Sequence, residues 1–306
     1  LSSVEISCIC PSHGLIWRKD IDEVIKKRIL DKTDEAKTSL KMIYDKEEGI
    51  IRNLLSFKNA TYQKVYEDSD DFAETYPFIP YQFQILSHVL TSIREHSSSG
   101  KHLSEGERSM LAMFKEGAEK YKENETGVLV SFDKFYDGLQ SFLDHSHSVI
   151  ITGAMKNSYI NPENEENCFN VNVLKVLFMI KYVKEIKGTL ENITTLMVED
   201  INEDRIVLKE KVKEALDVLI KQTLVQKSGD IYIFLTNEEQ EVEKMIDKID
   251  QSWSFESSND IVQEFAAPSA KFAIAERSYT AEKPRINYTP KPIKLMQNIS
   301  VMYEMK

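Results

Sequence analysis

Cysteine is scarce: Cys8, Cys10 and Cys168 are the only three in 306 residues, too few for a disulfide framework. Cys8-x-Cys10 with His13 has a metal-like spacing, but a zinc site wants four ligands and Cys168 is far away in sequence, so these are read as incidental thiols. Long apolar runs are missing too. The longest, Val171 to Ile180, is interrupted by Asn172 and Lys175 and falls short of the ~20 residues that span a bilayer. No basic-then-apolar leader opens the chain. The expected compartment is therefore a reducing cytoplasm with no membrane partner, where the sequon at Asn192-Ile-Thr194 carries no meaning. Positive charge is in deficit, with 39 Lys and Arg against 50 Asp and Glu for a net charge of -11. That balance excludes a chain-wide nucleic-acid surface and leaves only a local basic patch open. The phosphate-binding pattern G-x-x-x-x-G-K-[ST] is absent. Its nearest approach, Gly100-Lys101, has Glu95 where the first glycine belongs, His102 where the hydroxyl belongs, and no strand before it. No Ser/His/Asp or Cys/His arrangement and no internal repeat stands out.

What is present is a helical protein of two or three domains, 42% hydrophobic and 29% charged, with enough chain for a sizeable core. Residues 1–10 alternate loosely, as a strand without its sheet would, and Pro11 to Gly14 signals a turn. Asp20 caps a helix with Glu23 three positions on. Thr33 opens a longer one through Leu40, Ile43, Tyr44, Ile50, Leu54 and Leu55. Glu67 to Asp71 reads as an acidic loop. Pro77 and Pro80 restrict the backbone, and Pro80 suits the first position of a helix striped by Tyr81, Ile85, Val89 and Ile93. His96 to Gly100 breaks that helix. Ser104 then caps a segment with Glu105 and Glu107 in its first turn and Leu111, Met113 and Phe114 on its buried side, running to about Lys122. A further helix is expected over Phe132 to His145, with His145-x-His147 at its end. A polar, Asn-rich stretch follows at 157–168 and marks a linker. Beyond it, helices are expected over Val171–Ile186, Leu190–Val198 and Arg205–Gln222, the last with Ile206, Val212, Leu216 and Leu219 inside. Two short strands, Leu224–Lys227 and Ile231–Leu235, flank a Ser228-Gly229-Asp230 turn. A closing helix is capped at Thr236 or Asn237. Three helices, a two-stranded wing and a closing helix spell a winged-helix domain over 169–250. Residues 251–306, rich in Ser, Ala and Pro, read as an irregular tail.

Two features suggest chemistry. Gly106-Glu-Arg108-Ser-Met-Leu111 is a G-x-R-x-x-L pattern at a helix start. AAA+ lids place an arginine this way, so that its cation reaches the phosphates of a bound nucleotide. Arg108 pairing with Glu105 or Glu107 on a solvated face is the competing reading. The ABC-type signature is ruled against by Glu105, a carboxylate where the first of two glycines should sit. The winged helix raises DNA binding, with Lys209, Lys211, Lys213 and Lys221 on the presumed recognition helix. Over 171–250, however, 12 Lys and Arg face 16 Asp and Glu, and phosphate neutralisation supplies most DNA affinity. Structural or protein-contact use is the competing reading. The tail segment Lys283 to Lys294 is a lesser nucleic-acid candidate, with four cations and one tyrosine.

Five motifs in collinear order carry a resemblance: DIDEVIKKR at Asp20–Arg28, YPFIPYQF at Tyr76–Phe83, SGKHLSEGERSML at Ser99–Leu111, LFMIKYVKEI at Leu177–Ile186 and FLTNEEQ at Phe234–Gln240. The chain resembles, over about residues 20–250, the P-loop ATPase family of BREX phage-defence systems (BrxC/PglY). The resemblance implies a mainly α fold: a remnant of the ATPase core at 1–19, a helical AAA+-type lid at 20–156, the linker at 157–168, the winged helix at 169–250 and the tail. Leu1 stands in place of an initiator methionine, so the chain is expected to be a piece of a longer protein whose missing core binds ATP and Mg. In that setting Arg108, with Lys101 and His102 as lesser candidates, contacts the nucleotide or a neighbouring subunit. The implied partners are other BREX components, a second copy of the chain, and DNA through the complex. A DNA-binding module, or an oligomerisation scaffold without nucleotide contact, are the alternatives. Glu5–Lys19 and Trp253–Lys306 depart from the family pattern.

Overall fold

Thr33 starts the first long helix by accepting a hydrogen bond from the Ala36 amide at 3.3 Å, the N-cap the sequence indicated. The computed structural model describes residues 21–60, 64–96, 105–140 and 145–256, with backbone alone at 94–96, 105–109, 145–147 and 247–256. Residues through Val242 form one compact unit and those from Glu243 a second. The segments 1–20 and 257–306 lie outside the described residues, and with them Asp20, Cys8, Cys10, His13 and the tail segment 283–294.

The chain is mainly helical with a small two-stranded sheet. Residues 21–24 and a π-helical turn at Ile25–Ile29 precede α1, Asp34–Leu54. Helix α1 buries Leu40, Tyr44, Ile51 and Leu54; Ile50, expected on that stripe, is exposed, because its neighbour Ile51 holds the inward position. The acidic stretch after it is no loop. Asp68 accepts from the Asp71 amide at 2.8 Å and opens α2, Ser69–Thr75, with Asp70 and Asp71 in the first turn where the helix dipole favours them. Tyr44, Tyr66 and Phe72 pack as an aromatic trio with ring centroids 4.8 to 6.0 Å apart.

Helix α3, Pro80–His96, begins at the proline as expected and follows a cis Tyr76–Pro77 bond. Helix α4 is Glu105–Tyr121. Phe83 stacks on Phe114 at 4.3 Å, and Phe78 meets the same ring edge-on at 4.7 Å. The continuous helix expected over 132–145 is broken up. A 3-10 turn at Phe132–Phe135 passes into one α-helical turn, α5, Tyr136–Leu139, and α6, His145–Lys156, begins where the earlier helix was expected to end. His145 and His147 therefore open a helix. The segment at 157–168 is closely tied: the Asn161 side chain donates to Met155 O and Glu165 O, and Asn170 donates to Ile160 O.

The longest apolar run becomes α7, Phe169–Ile180, buried on almost every side. It ends six residues short of the expected Ile186: the backbone tightens into turns there, Lys181 N donating to Phe178 O at 3.3 Å and Val183 N to Ile180 O at 3.0 Å, while the Lys181 side chain donates to Phe234 O and Glu239. Helix α8, Leu190–Leu196, and α9, Arg205–Lys221, follow, capped by Thr189 and Asp204. Strand β1, Val225–Ser228, pairs antiparallel with β2, Ile231–Phe234, through a two-residue loop. Gly229 takes a φ of +59° there, the position at which a type II′ turn wants glycine. The Tyr232 amide donates outward to Gly188 O at 2.8 Å, and Thr189 bridges to Ile231. Helix α10, Asn237–Glu256, opens with a reciprocal capping box between Thr236 and Glu239. Residues 251–256 are thus helical, within what was expected to be the irregular tail. Among the described residues no helix is long and apolar enough to cross a membrane.

Candidate functional site

The outer face of α9, with the loop leading into it at residues 199–204, is one of two candidate sites, and the one whose side chains the structure describes. Helix α4 carries the other candidate. The backbone of Arg108 lies in the first turn of α4, while its side chain, and Lys101, His102 and Ser104 altogether, lie outside the described residues. The proposed nucleotide contact therefore rests on helix position alone. Lys209, Lys211, Lys213 and Lys221 all sit on α9, but they do not form a basic face. Lys209 is half-buried and donates to Glu191 at 2.7 Å, and this hydrogen bond holds the Glu191 carboxyl below its ordinary value. Lys211, Lys213 and Lys221 are exposed, interleaved with the exposed acids Glu210, Glu214 and Asp217.

The first turn of α9 presents carbon. Ile206, expected inside, is instead 73% exposed and Val207 51% exposed, because Leu208, Val212, Ala215, Leu216 and Leu219 take the inward positions; both lie at the end of the helix where a groove-reading helix offers base contacts. The one cation there, Arg205, turns inward. Its guanidinium donates to Leu54 O, to Ser56 O at 3.2 Å and to Thr195 Oγ1 at 3.0 Å. A cation in a first turn opposes the helix dipole, and these three acceptors are what hold it. Burial pulls the Arg205 pKa down from its ordinary value.

Further bonds fasten the α8–α9 region to the segment after α1. Asn192, wholly buried, accepts from the Lys58 amide at 2.8 Å and donates to Lys58 O at 3.1 Å and Lys187 O at 2.9 Å. All its amide atoms are engaged. Thr195 Oγ1 donates to Ser56 O at 2.8 Å, and the Tyr81 hydroxyl donates to Thr195 O at 3.1 Å. On another side, residues 127–131 lie antiparallel to 199–201. Leu129 N donates to Glu199 O at 2.8 Å and Ile201 N to Gly127 O at 3.0 Å, about a Val128–Asp200 bridge. Burial, with the nearby Glu199 and Asp200 charges, holds Glu203 above the ordinary carboxylate value.

No family model matches the chain, and no solved structure matches it. Among the described residues no group of three or more His, Cys, Asp and Glu side chains is placed to hold a metal ion, and the sequence carries no phosphate-binding loop. What the α9 face offers is an apolar first turn followed by interleaved exposed lysines and acids. Arg205 and Asn192 are the residues that motif reading passed over. Arg205 had one usable signal, a cation placed directly after an Asp cap.

Proposed function

We propose that this chain is the lid and winged-helix portion of an AAA+-like ATPase of a BREX anti-phage defence system. It contributes nucleotide sensing and partner contacts and is not catalytic alone. The collinear motifs carry the proposal. It is supported by the order α7, α8, α9, hairpin, α10, which is the element order of a winged helix, and by Arg108 standing in the first turn of α4. ATP and Mg belong to the part of the parent that supplies a phosphate-binding loop, and the parent acts in the cytoplasm beside other BREX components. In the full-length parent, Arg108→Ala depresses ATP hydrolysis while leaving the unfolding midpoint near that of the wild type. Unchanged turnover overturns the sensing role.

Within this reading the α9 face favours protein contact over direct DNA reading. The observation is the inward turn of Arg205 beside the exposed Ile206 and Val207. A salt titration of duplex DNA binding by the whole chain tests it. No binding at low salt supports protein contact, and binding with a steep salt slope overturns it.

A further inference from the structure

A charged cluster, buried at Asp133 and half-exposed at Glu199, sits where helix α4, the 3-10 turn and the lead-in to α9 converge. Ser131 and Asp133 are buried, Asp133 to 1% exposure. The Lys134 ammonium lies 3.0 Å from Asp133 Oδ2 and 3.0 Å from Glu199 Oε1, and donates to Asn167 Oδ1 at 3.2 Å. Ser131 Oγ is within hydrogen-bond distance of both Asp133 Oδ1 and, at 3.0 Å, Glu199 Oε1. Asp133 Oδ2 accepts no aligned hydrogen bond, so the ammonium is there as counter-charge. Burial alone would lower Lys134; Asp133 and Glu199 more than offset it and hold the pKa above the ordinary lysine value. Helix α4 packs on the 3-10 turn that carries Asp133 and Lys134: the Phe114 ring lies 5.2 Å from that of Phe135.

We infer that Lys134 is the bolt of a coupling element that makes α4 and the lead-in to α9 move as one. Two backbone hydrogen bonds about a single bridge, those of Leu129 and Ile201, are too few to fix a register. The strap is held on its other side by Val130 N donating to Pro77 O at 3.1 Å and by Gln82 donating to Val130 O, which ties it to the turn before α3. The charges close the remaining freedom at 199–201. A buried ion cluster is a poor source of stability, because desolvation consumes most of its attraction. What it supplies is alignment: residues 131–134 fit the loop at 199 in one way only, since any slip strands Asp133. Displacement of α4 is thereby carried to the start of α9, whatever ligand displaces it.

Amide hydrogen exchange on the whole chain tests this. Lys134→Met accelerates exchange of the Leu129 and Ile201 amides by about tenfold or more, while Leu55 in the segment after α1 and Leu208 in α9, where Arg205 still holds, keep their rates. A triple variant, Ser131→Ala with Asp133→Leu and Lys134→Met, keeps the wild-type unfolding midpoint yet retains the fast exchange at those two amides. Uniform acceleration along the chain, or none at 129 and 201, overturns the coupling role. Should Lys134→Met fail to fold, Glu199→Gln, at a half-exposed position, preserves the acceptor for Ser131 and removes the charge. It too accelerates 129 and 201, and wild-type rates there overturn the inference.

Discussion

Asn192→Asp is a nearly isosteric change with a predictable and pH-dependent cost. The new carboxylate keeps the acceptor for the Lys58 amide, but its second oxygen faces Lys58 O and Lys187 O, which the amide nitrogen now meets at 3.1 and 2.9 Å. Two hydrogen bonds are lost at about 1 kcal/mol each, and two carbonyls are left against a charge in a site with no solvent exposure. The net destabilisation at pH 7 is about 3–5 kcal/mol. The folded pKa of the introduced carboxyl is raised above its unfolded value of about 3.9, so the charged form is what the fold disfavours. Its cost is absent below the unfolded pKa and grows as pH rises through the folded one. Protonated, the side chain donates to one of the two carbonyls, and near pH 4 the loss shrinks to about 2 kcal/mol. Asn192→Leu loses all three bonds, costs about 3 kcal/mol, and shows no such pH dependence. Urea unfolding of wild type and both variants at pH 7 and pH 4, compared at equal m-value, measures this. A cost for Asn192→Asp below about 1 kcal/mol at pH 7, or equal at both pH values, refutes the bridging role assigned to this side chain.

Two further outcomes are expected. Gly188→Ala puts a Cβ 2.5 Å from the Tyr232 carbonyl oxygen; β2 must shift, at about 1–3 kcal/mol, and the Tyr232 amide loses its exchange protection, whereas a wild-type midpoint with a protected amide sinks the argument. Burial, and then the Lys37 charge, hold Lys32 down to about 8 against an ordinary 10.5. Between those values the unfolded chain binds more protons, so wild-type stability rises with pH relative to Lys32→Met; parallel stability curves from pH 7 to 10.5 contradict it.

Elements bounded by local chemistry were legible. Thr33, Pro80 and the Thr236–Glu239 box set helix starts through groups within four residues, and the hairpin announced itself by the Ser228-Gly229-Asp230 turn between two short runs. The region 132–156 was not, because distant partners decide it. Gly138 lies flush against Met113 with no room for a Cβ, and Asp133 and Lys134 answer to Glu199 across the fold. At the end of α7 the partners are likewise distant, since the acceptors of the Lys181 side chain come more than fifty residues later. Helix α2 was hidden for another reason. Seven residues show no periodicity, although Asp68-x-x-Asp71 was there to be read as a cap. The α9 face was half legible: the balance of lysines and acids could be counted from the sequence, but not that Arg205 points inward and leaves Ile206 and Val207 outside.

The contact of Gly188 and Thr189 with β2 has a consequence for how the protein behaves at high concentration. A two-stranded ribbon has two open rims, each a template for another chain to join. On the β2 rim the Tyr232 amide is taken by Gly188 O and Ile231 is bridged by Thr189. The other rim belongs to β1, whose exposed Lys227 and Ser228 and half-exposed Gln226 make it short, polar and charged. One rim is occupied and the other discourages pairing, so the ribbon offers little purchase for edge-to-edge growth of fibrils.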